Sequence, residues 1–223
     1  MTASARWVTV LPVALLSLPL HAARKPVTLH DLYANSQKLH PPAPVWRPDG
    51  EAYAWLDKGK LWLYDIVGRH SAAWVTIGDL QKTFEKNTTS APVPFNWRNR
   101  RMNISGPQWF PDGESLLLPT PAASFILKSG KAKARETLAD LNENNVPTLS
   151  PDGRKILYRK DSNLYVLNVN PNEGSDTRKA IRLTSDGTDT ILNGQLDWVY
   201  PEELDLGTAF WWSPDSQHIA YMQ

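Results

Sequence analysis

The sequence of 223 residues contains no cysteine. That excludes a disulfide framework, a thiolate nucleophile, a cysteine-based metal site and a lipoprotein attachment point. An excess of either charge is also missing, with 24 Lys and Arg set against 23 Asp and Glu. So even a balance gives no reason to expect nucleic acid or an acidic membrane as partner. No Gly-x-Ser-x-Gly nucleophile elbow occurs, and His30, His40, His70 and His218 are scattered without a partner at catalytic or metal-ligand spacing. The chain therefore offers no catalytic triad, no metal ligand set and no cofactor site. What it has in quantity is tryptophan (10) and proline (18), a composition that suits many short strands broken by turns.

Residues 1–23 read as an export signal. Arg6 supplies a basic start, Trp7 to Leu20 an apolar stretch, and Leu20-His21-Ala22-Ala23 a small-residue cleavage region. The apolar stretch is short for a membrane span, although an uncleaved amino-terminal anchor is the alternative reading. After cleavage the expected location is the periplasm or the medium, with no membrane partner. Residues 24–45 form a lead-in.

A five-residue turn then recurs four times: Trp46-Arg47-Pro48-Asp49-Gly50, Trp109-Phe110-Pro111-Asp112-Gly113, Leu149-Ser150-Pro151-Asp152-Gly153 and Trp212-Ser213-Pro214-Asp215-Ser216. Proline presets the entry, aspartate accepts from nearby backbone N–H groups, and glycine takes the left-handed conformation. A strand-like run follows each turn. In the first and third copies a second run follows across Asp57-Lys58-Gly59 and Asp161-Ser162-Asn163, which predicts hairpins. The turn prolines stand at 48, 111, 151 and 214, so the copies lie 63, 40 and 63 residues apart. About forty residues make one four-stranded propeller blade, and the longer intervals leave room for inserts. The fold class expected is therefore all-β, a partial β-propeller of four-stranded antiparallel blades over 46–223. It would comprise about three and a half blades of an expected eight, and that is too few to close. A short helix is expected over Asp79 to Glu85. Two longer connections, 87–106 and 185–210, are the inserts.

The second insert carries Pro201-Glu202-Glu203. A proline followed by two carboxylates suits the first turn of a helix, where the missing N–H is unneeded and the helix dipole favours negative charge. In a strand Glu202 and Glu203 would point to opposite faces, whereas in a helical turn they can converge on one small cation. An ammonium group offers three donors, two of which a pair of carboxylates can accept. A solvated acidic loop is the plainer reading of the same residues. Tyr200 beside them suits either a pocket wall or core packing.

Asn193-Gly194, Asp197-Trp198-Val199, Glu202-Glu203 and Trp211-Trp212-Ser213-Pro214-Asp215, in that order, resemble the double-glutamate segment of the dipeptidyl peptidase IV family, above all its bacterial members. The resemblance extends over residues 28–223 as the amino-terminal half of such a protein. It implies a substrate-recognition propeller in a secreted serine dipeptidyl peptidase. Such an enzyme removes Xaa-Pro or Xaa-Ala dipeptides from peptides with a free N-terminus. Glu202 and Glu203 would bind the α-ammonium. A family arginine that contacts a substrate carbonyl has no counterpart at Leu118-Pro119-Thr120-Pro121-Ala122-Ala123. The resemblance to bacterial members, in some of which a basic stretch ahead of that blade supplies it, implies Arg98, Arg100 or Arg101. A solvated charge run is the plainer reading of the same residues. The α/β-hydrolase domain would lie beyond Gln223, so this chain alone is expected to be inactive. Members of the family often dimerise, which makes a homodimer a further implied partner. The competing class is a non-enzymatic TolB-like periplasmic propeller, since Ser-Pro-Asp-Gly turns occur there too.

Overall fold

The recurring turn is the same object in all four places where the sequence repeats it. In a computed structural model of the protein, which describes residues 28, 43–85, 106–129, 131, 134–169, 179–197, 199–204, 206 and 208–223, the aspartate Oδ1 accepts from the N–H two residues on. Those donors are Glu51 (2.9 Å), Glu114 (2.9 Å), Arg154 (3.0 Å) and Gln217 (3.0 Å). Gly50, Gly113 and Gly153 take φ of 75°, 67° and 70°, the left-handed region where a Cβ is penalised. Ser216, which replaces glycine in the fourth copy, takes φ 59°.

Each turn launches antiparallel strands in chain order. The first sheet is β1 (Val45–Trp46), β2 (Ala52–Asp57), β3 (Lys60–Asp65) and β4 (His70–Thr76). The second is β5 (Gln108–Trp109), β6 (Ser115–Pro119), β7 (Ser124–Lys128) and β8 (Ala134–Leu138). The third is β9 (Thr148–Leu149), β10 (Lys155–Lys160), β11 (Asn163–Asn168) and β12 (Ile181–Arg182). The fourth contains β13 (Phe210–Trp212) and β14 (Ile219–Tyr221). Among the described residues the chain thus forms three four-stranded blades and a two-stranded one, as the spacing of the turns predicts. The predicted hairpins form around two-residue turns, with Lys58 and Gly59, then Asp161 and Ser162, all at positive φ. Helix α1 (Ile77–Glu85) follows β4, beginning two residues before the predicted start.

The core lies in the seams between blades, because a blade buries both faces only against its neighbours. On β6, Leu116 and Leu118 enter the seam with the first blade while Leu117 enters the seam with the third. Phe125 and Leu127 against Ile126 divide β7 in the same way. This two-sided burial explains why Ser115–Pro119 and Ser124–Lys128 read as continuous apolar runs rather than alternating ones. Val146, Leu157, Leu164, Val166 and Phe210 fill the third seam.

Polar stitches cross each seam at the inner strands. Trp109 Nε1 donates to Val45 O at 3.0 Å, and Trp212 Nε1, 103 positions later, donates to Thr148 O at 3.2 Å. Leu149 in the third copy has no indole, and there Gln108 makes the stitch instead. Its Nε2 donates to Pro147 O and its Oε1 accepts from Leu149 N, both at 2.8 Å. Packing between blades is the sequence expectation for all these tryptophans, and it holds for Trp109 and Trp212. Trp46 and Trp211 instead remain 55% and 41% exposed, on outer faces against which no blade packs among the described residues.

Turn packs on turn as well. Asp152 N donates to Ser216 Oγ at 3.0 Å, so the serine is held by the preceding copy. Ser216→Ala should cost about 1–2 kcal/mol, because it leaves a part-buried N–H without its acceptor and keeps the left-handed strain. Ser216→Gly should cost about 1 kcal/mol less than alanine by relieving that strain. Urea unfolding midpoints of the two variants check the order.

The chain divides into two compact units, 1–41 and 42–223, and of the first only Thr28 is described. The expected export signal lies outside the described residues. Among those described, no helix is long and apolar enough to cross a membrane.

Candidate functional site

The connection from the third blade to the fourth carries the two glutamates, and its local chemistry fixes where its helix starts. Asp197 Oδ1 accepts from Val199 N at 2.9 Å, a local turn that leads into α2 (Val199–Glu203). The helix opens at Val199, two residues before the Pro201 start that the Pro-Glu-Glu pattern predicts. Proline is accommodated at its third residue because the first N–H groups of a helix have no intrahelical acceptor anyway. Tyr200 O closes the far end, accepting from Leu204 N at 3.1 Å and Leu206 N at 3.2 Å.

Glu202, Glu203 and Tyr200 thus share one five-residue helix. Glu203 is exposed, and Tyr200 is 37% exposed. The Glu202 side chain lies outside the described residues, as do Arg98, Arg100 and Arg101.

Upstream, the connection is rooted in a set of buried polar groups at the tip of the β10–β11 hairpin. Asn163 Oδ1 accepts from Thr184 Oγ1 (3.0 Å), from Gly187 N (3.1 Å) and, at 3.5 Å, from Asn193 Nδ2. Asn193 Nδ2 also donates to Asp186 Oδ1 at 2.9 Å, and Gln223 Nε2 donates to Asp186 Oδ2 at 2.7 Å and Asn193 Oδ1 at 3.1 Å. The backbone joins in: Asn193 N donates to Ser162 O at 3.1 Å and Gly194 N to Met222 O at 2.8 Å. On β10, Arg159 alternates with Tyr158 and so faces the third seam, where Nη1 donates to Gly194 O at 3.4 Å. Burial lowers the Arg159 guanidinium to about 10, still charged at neutral pH. Of these groups only Asn193 stands out in sequence, as half of an Asn-Gly pair. Asn163 reads as a turn residue, and Arg159 reads as a solvated strand position.

The Asn193 amide, with Gln223, holds the Asp186 carboxyl below the usual range. A carboxylate lowered in the native state adds stability that is present above its unfolded value and lost as pH falls through the native one. Acidification from about pH 5 to pH 2 should therefore lower the melting temperature less in Asp186→Asn than in the parent. Melting curves across that window read the difference in slope.

These features define a partial propeller whose longest described connection presents an acidic helix. Residues 109–223 match the family described as the dipeptidyl peptidase IV (DPP IV) N-terminal region. The chain belongs to that family. A probable dipeptidyl-aminopeptidase B of Talaromyces stipitatus is 26% identical over 220 residues, covering 89% of this chain and 23% of its own. Its counterpart in Sordaria macrospora is 40% identical over 75 residues, 33% of this chain and 8% of its own. The chain thus spans less than a quarter of the length of these relatives. The crystal structure of Porphyromonas gingivalis dipeptidyl peptidase 4 superposes with a TM-score of 0.52 at 20% identity, over 86% of this chain and 26% of that one, a likeness of fold.

Proposed function

We propose that this chain is the substrate-recognition part of an exported serine dipeptidyl peptidase that removes Xaa-Pro and Xaa-Ala dipeptides. The observation that carries the reading is that Glu202 and Glu203 sit together in one short helix of a chain belonging to the dipeptidyl peptidase IV N-terminal family. Two carboxylates on one turn accept two of the three N–H donors of a peptide's α-ammonium. Anchoring that charge sets a fixed distance from the peptide end to the nucleophile of a separate α/β-hydrolase domain, and the distance selects the second peptide bond. One of Arg98, Arg100 and Arg101 supplies the contact to a substrate carbonyl, and Tyr200 lines the ammonium site. Residues 1–23 direct export to the periplasm or the medium. The partners are peptides with a free N-terminus, the hydrolase domain and a second copy of the protein.

The test compares a chromogenic Gly-Pro substrate with its N-acetyl counterpart, using the full-length gene product. Only the free amine should be cleaved at an appreciable rate. Equal turnover of the two would overturn the reading.

A further inference from the structure

The seams are mostly apolar with scattered polar groups, and at one spot three buried polar side chains meet. Asn193 is fully buried, Asn163 is 2% exposed and Thr184 is 8% exposed. Burying amides costs free energy unless every donor and acceptor is met, and apolar packing of equal volume would stabilise the seam at least as well. What a satisfied polar network adds is a single geometry, because its partners fit in one arrangement only. This one joins three separate pieces of backbone. The hairpin tip contributes Ser162 O and the Asn163 side chain. The strand after the fourth turn contributes Met222 O and the Gln223 amide. Between them lies Asn193-Gly194, with Asp197 and α2 following directly in sequence.

We infer that Asn193, held by Asn163, Asp186 and Gln223, is a positioning residue that fixes the glutamate segment against the third and fourth blades and so tunes affinity for the peptide amine. The inference rests on the proposed role of Glu202 and Glu203. It assigns no contact between Asn193 and substrate. Asn163 Oδ1 is the hub, since it also accepts from Thr184 and Gly187, so the tether reaches from the residues just after the outer strand of the third blade to Asn193, six positions before α2. A tether of this kind acts on the fraction of molecules whose segment is correctly placed. Loosening it should raise KM while leaving the chemical step alone.

The experiment compares Asn193→Ala, Gln223→Ala and the exchange pair Asp186→Asn with Asn193→Asp in the full-length protein. Asn193→Ala should raise KM for a free-amine dipeptide substrate about tenfold with kcat within about twofold, the size of one lost buried hydrogen bond. Gln223→Ala, milder and at an exposed position, should raise it by about two- to fourfold on the same scale. The exchange pair restores a donor opposite an acceptor and should recover part of the loss. Amide hydrogen exchange at 199–206 should quicken in Asn193→Ala while β10 and β11 keep their protection. Two results would overturn the inference: unchanged KM and exchange in Asn193→Ala while Glu203→Gln raises KM, or a fall in kcat and protection throughout the blades without rescue by the exchange pair. If Asn193→Ala does not fold, Gln223→Ala decides by the same pair of readings. If Glu203→Gln leaves KM unchanged, the ammonium reading falls, and the exchange data alone decide whether the tether exists.

Discussion

Replacing both Glu202 and Glu203 by glutamine is expected to lower kcat/KM for free-amine dipeptide substrates by roughly a hundred- to ten-thousand-fold, mostly through KM. Each hydrogen bond to a charged group is worth about 1.5–3 kcal/mol, and about 1.4 kcal/mol is a factor of ten. Glutamine keeps the size and one acceptor oxygen of each side chain, so a loss reports the charge and not a collapsed segment. An ammonium held equally in the ground and transition states contributes to binding and leaves kcat nearly untouched. The pH dependence gives a second reading. A peptide α-amine loses its proton near pH 8, so in the parent enzyme kcat/KM should fall as pH rises through that value. In the double glutamine variant the fall should be much shallower, because no charge remains to prefer the ammonium. A variant whose KM stays within twofold of the parent would remove the acidic pair from recognition.

How much of this was legible in the sequence depends on whether the interaction was local. The Pro-Asp turns were, because proline fixes φ, aspartate reaches only two residues on, and glycine alone is free at positive φ. So the sequence predicts the turns, the hairpins across 57–59 and 161–163, and the blade count. Stitches between blades were not legible, because they join residues about forty to sixty-four apart and use whichever side chain the position provides. Gln108 replaces an indole at the second seam, and no local pattern announces it. Ser216 is a similar case: its hydroxyl suits the fourth turn only because Asp152 N of the previous copy lies within 3.0 Å. The acidic helix is half legible. Two glutamates after a proline signal a helical turn, yet the helix starts at Val199, led in by the Asp197 turn that the stronger proline signal hides. Arg159 is misleading in sequence because a strand arginine is usually solvated, and only the packing of a further blade over its face buries it.

Gly194→Ala is expected to cost about 2–5 kcal/mol, much of the stability of an ordinary domain. Two separate penalties combine. Gly194 has φ of 70°, where any other residue carries about 1–2 kcal/mol of strain. A Cβ placed there would lie 2.7 Å from Leu164 Cδ2 and 2.8 Å from Phe210 Cδ1, inside ordinary contact distance, and both side chains are fully buried in the third seam. Neither can withdraw without opening that seam, since interiors are packed to near crystal density. The methyl must therefore push the 193–194 backbone away from Ser162 O and Met222 O, the acceptors that seat it. A second substitution separates the two penalties. Phe210→Ala alone should cost about 3–5 kcal/mol as a buried aromatic truncation. Combined with Gly194→Ala it should cost less than the two added, because removing the ring frees the space the methyl needs, while the φ penalty persists. Chemical denaturation of the four proteins of this cycle measures the coupling. Strict additivity would show that the ring and the glycine do not meet, and that the seating of the glutamate segment does not depend on the third seam.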